Sequence, residues 1–125
     1  MIKKLDHFVL TIYDVEKTKL FYCDVLGMEY SEFGEGRRAL HFGSSKINLH
    51  IAGKEFEPKA HLARPGTADL CFIIEGSLSS MKERLQANGI SILEGPVPRT
   101  GATGSITSLY VRDPDLNLVE LSIYD

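Results

Sequence analysis

The chain carries an internal duplication, and this feature restricts the folds that it can adopt. His7 and Asp69 each open a β-rich run, and they lie 62 positions apart (69 − 7). The glycines that end the two following helical segments, Gly27 and Gly89, are separated by the same interval. Each half therefore predicts the order β-α-β-β-β, which is a duplicated module rather than a short solenoid repeat. We expect an α+β fold in which two βαβββ modules form a curved mixed β-sheet around a cavity.

The duplication also predicts the domain organisation. We expect one domain over residues 1–125, a length that is sufficient to bury a core. Within it, module 1 covers about residues 5–51 and module 2 about residues 67–123. The segment 52–66 between them contains two prolines and many charges, so we expect a linker that crosses the surface.

Capping and turn residues refine these modules. Asp14 and Ser77 stand where side-chain oxygens accept hydrogen bonds from free amides at a helix start, so each predicts a helix N-cap. In module 2 we expect a short strand at 91–93. The segment 95–104 is rich in glycine and proline, and it therefore predicts a loop.

Charge and composition exclude several classes of function. The formal net charge is −3, which gives no indication of a partner such as a nucleic acid or an anionic membrane. Apolar runs such as Leu70–Ile74 are too short to span a bilayer. Residues Met1–Asp6 lack the apolar run of a signal peptide, and Cys23 and Cys71 are too few for a disulfide framework. We therefore expect a cytoplasmic location and reduced thiols.

Alternation within the strands places one potential metal ligand on the same kind of face in each of four strands. The apolar residues of each strand share one parity and suit the helix-covered face, so the polar residues face the other way. The four candidate ligands on this second face are His7, His50, Asp69 and Glu120. Buried imidazoles and carboxylates are costly unless they are paired or metal-bound, so the pattern predicts one divalent metal ion. These donors suit Zn, Ni, Co, Mn or Fe(II) without choosing among them.

Three motifs resemble the vicinal oxygen chelate superfamily, which includes glyoxalase I, bleomycin-resistance proteins and extradiol dioxygenases. They are the opening Leu-Asp-His-Phe-Val-Leu at 5–10, the helix end at 21–28, and the closing Asp-Pro-Asp-x-Asn-x-x-Glu-Leu at 113–121. The chain is most similar to small glyoxalase-domain-containing proteins of this superfamily. The resemblance implies the vicinal oxygen chelate fold and a homodimer whose metal ligands come from one chain or from two. It also implies which residues bind the metal: His7, His50, Asp69 and Glu120.

The same resemblance implies an enzyme, a glyoxalase I-like lyase or isomerase that depends on the metal. Its substrate would be a small compound with vicinal oxygens, such as the adduct of a 2-oxoaldehyde with a thiol such as glutathione. Glu120 or Asp69 would move the proton next to the carbonyl. Arg99 suits an anion anchor, because its planar donor fork matches a carboxylate. Strand parity predicts that Ser108 and Tyr110 line the cavity and bind substrate.

Two alternatives stay open from the sequence. One is a metal-dependent thiol transferase or another xenobiotic-resistance enzyme, which would require a thiol co-substrate. The other is a non-catalytic small-molecule-binding protein without a metal, whose cavity would be apolar and aromatic. Two histidines and two carboxylates on the predicted cavity face favour the metal-dependent classes over this last one.

Overall fold

The computed structural model describes residues 1–125 and divides them into two compact units, Met1–Thr67 (unit 1) and Ala68–Asp125 (unit 2). Each unit contains a four-stranded mixed sheet and one helical segment in the order βαβββ. The predicted α+β class and the two βαβββ modules are therefore confirmed. None of the helices combines the length and the hydropathy that crossing a bilayer requires.

Unit 1 builds its sheet from the four strands β1 to β4. These are β1 (His7–Ile12), β2 (Glu29–Phe33), β3 (Arg37–Phe42) and β4 (Ser45–Ile51). The spatial order is β1-β4-β3-β2, with β1 parallel to β4 and the other two pairs antiparallel. Strand residues of one parity form the buried apolar set: Leu10, Ile12, Leu40, Ile47 and Leu49. The opposite parity carries the predicted ligands of this unit.

The helical segment of unit 1 changes type along its length. The α-helix α1 (Val15–Lys19) begins after Asp14, whose side chain accepts a hydrogen bond of 3.0 Å from the amide of Lys17, as the capping pattern predicts. It continues as a π-helix (Leu20–Val25), which the amphipathic spacing alone did not distinguish from an α-helix. Gly27 follows with φ +82°, the left-handed conformation that commonly ends a helix.

Unit 2 repeats this topology. Its elements are β5 (Asp69–Ile73), α2 (Leu78–Ala87), β6 (Glu94–Gly101), β7 (Gly104–Arg112) and β8 (Leu118–Tyr124). The sheet order is β5-β8-β7-β6, and β5 is parallel to β8. Helix α2 packs against β7 and β8. The buried apolar residues of these elements are Leu78, Leu85, Ile106, Leu109, Val111, Val119 and Leu121.

One part of the element prediction for unit 2 was wrong. Residues 91–93 do not form a strand, and most of the predicted loop 95–104 belongs to β6. β6 is an edge strand, where a proline that lacks an N–H group removes no hydrogen bond that the sheet needs. Gly95 has φ +118°, and a Cβ at this position would collide with the backbone oxygen of Ser108. Glycine and proline therefore mark a bulged edge strand here rather than a loop.

Candidate functional site

The turn between β7 and β8 fixes the start of the strand that carries Glu120. Asp113 Oδ1 accepts hydrogen bonds of 2.9 Å from the amides of Asp115 and Asn117, and its Oδ2 accepts one of 2.8 Å from Asn117 Nδ2. Asn117 Oδ1 in turn accepts a 2.9 Å bond from the amide of Ala68, just before β5. The turn therefore sets the position of β8 relative to β5, and with it the level of Glu120 in the sheet.

Glu120 lies on the sheet face opposite to that of its buried neighbours Val119 and Leu121. Its neighbours across the ladders are Cys71 on β5 and Tyr110 on β7. The Ser108 hydroxyl donates a 2.6 Å hydrogen bond to Glu120 Oε2 and lies 2.6 Å from the hydroxyl of Ser122. Three predicted site residues, Ser108, Tyr110 and Glu120, are thus brought together. Ser108 is fully buried, and its hydroxyl contacts protein groups.

Arg99 joins this group from the edge strand β6. Its Nε donates a 3.0 Å hydrogen bond to the Tyr110 hydroxyl, and its Nη2 lies 3.3 Å from Glu94 Oε1. Burial raises the pKa of Tyr110, against a smaller lowering by Arg99, so the phenol is protonated at neutral pH. The predicted anion anchor is therefore an exposed arginine that contacts Tyr110 and Glu94, and Tyr110 is the neighbour of Glu120 across the ladder between β7 and β8.

Asp69 and Cys71 share β5 but stand at different levels of the sheet. Asp69 is exposed and pairs with Leu118, two residues before Glu120 on β8. At about 3.3 Å per residue this offset corresponds to about 7 Å along the strand. Cys71 stands directly opposite Glu120, and burial raises the pKa of its thiol, so the sulfur is protonated at neutral pH. Asp69 is therefore a diagonal neighbour of Glu120.

His7 occupies the matching position at the start of β1 in unit 1. Its Nδ1 lies 2.7 Å from Asp6 Oδ1. Because an ionised carboxylate only accepts hydrogen bonds, Nδ1 donates to Asp6, and this contact does not involve Nε2. The same hydrogen bond lowers the pKa of Asp6, which keeps the carboxylate ionised. This carboxylate–imidazole arrangement orients many metal-binding histidines.

His50 is far more enclosed than His7. It is 8% exposed, and its Nδ1 is buried without a hydrogen-bond partner. The ring of Phe56 packs edge-on against it at 5.5 Å, and the Arg37 guanidinium lies 4.3 Å from the centre of the Phe56 ring. Burial, and then the charge of Arg37, lower the pKa of His50, so the imidazole is neutral at pH 7. The Nδ1 of this neutral imidazole therefore has no hydrogen-bond partner within the protein.

The β1–β4 ladder separates the two histidines. His7 pairs with Lys46 and His50 with Thr11, so the histidines stand four residues apart along the strands, about 13 Å. Asn48 lies between these two levels on the same face, and its Oδ1 is also buried without a hydrogen-bond partner. The ladder of unit 1 therefore places an amide oxygen closer to the level of His7 than His50 is.

Asn48 is the residue that the sequence interpretation missed. In unit 1 the first residue of β1, His7, pairs with Lys46, and in unit 2 the first residue of β5, Asp69, pairs with Leu118. Lys46 and Leu118 are therefore counterparts. Two residues further along β4 and β8, Asn48 is the counterpart of Glu120. By the same count the counterpart of His50 is Ser122. The sequence signal was the match between Ile-Asn-Leu at 47–49 and Val-Glu-Leu at 119–121. Strand parity identifies a face, but it does not identify a level along the strand.

The donor chemistry of these faces fits a divalent cation. Imidazole nitrogens, carboxylates and an amide oxygen are ligands that such ions accept in proteins. The buried unpartnered atoms of Asn48 and His50 and the oriented ring of His7 are consistent with ligand binding. The chain brings together no group of three or more His, Cys, Asp and Glu side chains that could hold a metal. Two of the four predicted ligands lie in each unit.

Comparison with known proteins assigns the family. Residues 4–121 match the Glyoxalase/Bleomycin resistance protein/Dioxygenase superfamily. The chain belongs to this superfamily, which confirms the family that the three sequence motifs indicate.

Individual relatives are similar along almost the whole chain. It is 57% identical over 123 residues to the glyoxalase domain-containing protein RDO1 of Mycosarcoma maydis, covering 98% of this chain and 69% of that protein. It is 52% identical over 124 residues to the virulence protein STM3117 of Salmonella typhimurium, covering 99% of this chain and 86% of that one. The integron cassette protein VCH_CASS1 from V. Cholerae superposes with a TM-score of 0.97 at 55% identity, covering 100% and 98% of the two chains.

Proposed function

We propose that this protein is a metal-dependent lyase or isomerase of the glyoxalase type, acting on a small substrate with vicinal oxygens. The observation that carries this proposal is the pair of buried, unpartnered atoms on β4, Asn48 Oδ1 and His50 Nδ1. Leaving such atoms unsatisfied costs about 1–3 kcal/mol each, and buried polar groups in native proteins generally have a partner. A ligand that satisfies these atoms removes this cost.

The proposed metal ligands are the four residues that strand parity selects. His7 contributes Nε2, since Asp6 holds Nδ1. Asn48 is proposed as an additional oxygen donor, because it is the counterpart of Glu120. When bound, a divalent ion supplies Lewis acidity toward adjacent substrate oxygens. The four residues are His7, His50, Asp69 and Glu120.

The remaining residues of unit 2 support a proton transfer and an anionic substrate. Glu120 or Asp69 accepts the proton next to the substrate carbonyl and returns it to the neighbouring carbon, as a general base and then a general acid. Arg99 binds a substrate carboxylate, for which its hydrogen bond to Tyr110 and its ion pair with Glu94 hold the guanidinium in place. A thiol adduct such as that of glutathione carries carboxylates of this kind.

Metal content is the first test of this proposal. Tag-free protein is purified and its elements are quantified by mass spectrometry, alongside His50→Ala and the matched control His61→Ala, which removes an exposed histidine of the same unit. We expect about one equivalent of one transition metal in the wild type and in His61→Ala, and a loss in His50→Ala. A wild-type protein that takes up none of Zn, Ni, Co, Mn or Fe(II) overturns the proposal and favours a non-catalytic binding protein.

The reaction is tested with the metal that the protein retains. The proposed enzyme isomerises the hemithioacetal of methylglyoxal and glutathione, and Glu120→Gln abolishes turnover. Bound metal without this turnover, but with transfer of a thiol to an electrophilic xenobiotic, overturns the lyase assignment and identifies the thiol transferase alternative.

We also propose that the protein is a homodimer. Sedimentation equilibrium measures the mass of the assembly, and a monomer at all concentrations contradicts the proposal. Mixing His7→Ala chains with Glu120→Ala chains then tests whether ligands come from two chains. If the sites are shared between chains, the mixture recovers about a quarter of the wild-type metal content. Half of all dimers in the mixture are then heterodimers, and one of the two sites in each heterodimer is intact. Sites within one chain recover none.

A further inference from the structure

A buried pair of hydroxyls contacts the carboxylate of Glu120. Ser108 on β7 and Ser122 on β8 pair across the ladder, and both residues are 0% exposed. Their hydroxyl oxygens are 2.6 Å apart. Ser108 Oγ lies 2.6 Å from Glu120 Oε2, and Ser122 Oγ lies 3.4 Å from the same oxygen. Both serine contacts are therefore made to one oxygen of the carboxylate.

The direction of these hydrogen bonds follows from proton inventory. The Ser108 hydroxyl has a single hydrogen, and it donates this hydrogen to Glu120 Oε2. Ser122 must then donate to Ser108, which leaves the Ser122 oxygen to accept from the Cys71 thiol at 3.4 Å. The chain of donors runs from Cys71 through the two serines to Glu120. Ser122 Oγ also lies 3.4 Å from Glu120 Oε2, so both hydroxyls are close to the carboxylate.

The fold alone does not require hydroxyls at this place. In unit 1 the counterpart of Ser122 is His50, and Ala39 faces Asn48 where Tyr110 faces Glu120. The counterpart of Glu120 receives no such bond, since Asn48 Oδ1 is unpartnered. The serine pair is thus specific to the unit with the carboxylate.

We propose that Ser108 and Ser122 are positioning residues that fix Glu120 through Oε2 and direct Oε1 to the metal. This inference rests on the proposed metal site. Outer hydrogen bonds to a ligating carboxylate restrict its rotation and raise metal affinity, typically by about 10- to 100-fold. Strand parity predicts that Ser108 binds substrate. In the proposed role its hydroxyl binds Glu120 instead.

The test is a Co(II) titration of the purified metal-free protein, followed by visible absorption. Ser108→Ala deletes the donor to Glu120. Thr107→Val is the matched control, because it deletes a hydroxyl of the same strand that faces the other way and donates to Asp125. We expect Co(II) binding about 10- to 100-fold weaker in Ser108→Ala, with a changed visible spectrum, and unchanged binding in Thr107→Val.

Two further variants separate positioning from folding. Ser108→Thr keeps the hydroxyl and is expected to restore the wild-type Co(II) spectrum. Ser122→Ala removes the donor to Ser108 and the longer 3.4 Å contact with Glu120, but it keeps the 2.6 Å bond from Ser108 to Glu120. A smaller loss of affinity is therefore expected, and this variant is the test if the Ser108 variants do not fold. Circular dichroism confirms folding before each titration. Wild-type affinity and spectrum in folded Ser108→Ala, or in Ser122→Ala where Ser108→Ala does not fold, overturn the inference.

The outcomes also separate this inference from the proposed function. A wild-type protein that binds no Co(II) or other candidate ion contradicts the metal site itself. A wild-type protein that binds Co(II) as tightly as folded Ser108→Ala leaves the metal site intact and contradicts only the role of the serines.

Discussion

The two units share one topology but satisfy their polar side chains in different ways. In unit 2 the carboxylate of Glu120 accepts hydrogen bonds from a buried serine pair, and Tyr110 accepts one from Arg99. In unit 1 the corresponding strand β4 leaves Asn48 Oδ1 and His50 Nδ1 buried without partners. Unit 2 therefore presents a carboxylate that hydrogen bonds hold in place, whereas unit 1 presents buried polar atoms without a partner in the protein.

This difference teaches that the duplication preserved positions rather than chemistry. Counterpart positions in the ladders pair His7 with Asp69 and Asn48 with Glu120. Neither pair repeats a residue type. Unit 1 carries imidazole and amide groups at these positions, whereas unit 2 carries carboxylates.

The largest expected effect concerns the turns that precede β4 and β8. Asp113→Ala removes the acceptor of three hydrogen bonds in a residue that is 3% exposed. We expect the free energy of unfolding to fall by about 3–5 kcal/mol, because several buried donors lose their partner together. Urea denaturation measures this. Ser44→Ala, in the exposed turn before β4, is the control and should change stability by less than about 0.5 kcal/mol. Equal effects would contradict the view that the side-chain hydrogen bonds of Asp113 hold the β7–β8 turn.

Much of the fold followed from local chemistry in the sequence. The caps Asp14 and Ser77 accept the predicted hydrogen bonds from backbone amides. The interval between His7 and Asp69 matches the start of β1 and of β5. These predictions succeeded because a cap or a strand start depends on neighbouring residues only.

The rest depended on pairing between distant segments. Strand parity placed both Asn48 and His50 on one face, but only the register with β1 reveals which of them stands nearer to the level of His7. Parity likewise pointed Ser108 toward a cavity, yet its register opposite Ser122 leaves its hydroxyl inside a hydrogen-bonded pair. Edge strand β6 was missed because Pro96 and Pro98 are tolerated only where the sheet needs no donor. A local sequence pattern does not determine the register between two strands or which strand lies at the edge of a sheet.

The hydroxyl network of unit 2 should contribute measurably to stability in the absence of metal. Ser108→Ala removes a hydrogen bond to a carboxylate, and such bonds contribute about 1.5–3 kcal/mol. We expect a loss of stability in this range in urea denaturation of the metal-free protein. Thr107→Val serves as the control for deleting a hydroxyl from β7, and its loss should be smaller because its partner Asp125 is exposed. A neutral Ser108→Ala would mean that water replaces the serine.

In unit 1 we expect a substitution that increases the stability of the metal-free protein. Asn48→Leu replaces a buried, unpartnered amide oxygen with an apolar group of similar size. Because the cost of the unsatisfied atom disappears, we expect the metal-free protein to gain about 1 kcal/mol of stability while metal affinity falls. Thermal unfolding with and without added metal measures both changes. A destabilised Asn48→Leu would show that the amide has a partner in solution, and the contrast between the two units would then fail.

The smallest effect concerns the aromatic cover of His50. The Arg37 guanidinium lies 4.3 Å from the centre of the Phe56 ring, and Phe56 packs against His50 at 5.5 Å. A double-mutant cycle of Arg37→Met and Phe56→Leu should give a coupling energy of about 0.5–1 kcal/mol, as for cation–π pairs near the surface. Metal affinity provides the second readout. If Phe56 only shields His50 from water, Phe56→Leu keeps the wild-type affinity. An affinity that rises in Phe56→Leu but not in Arg37→Met would show instead that the ring obstructs the imidazole, so that the two units differ in access to the metal as well as in hydrogen bonding.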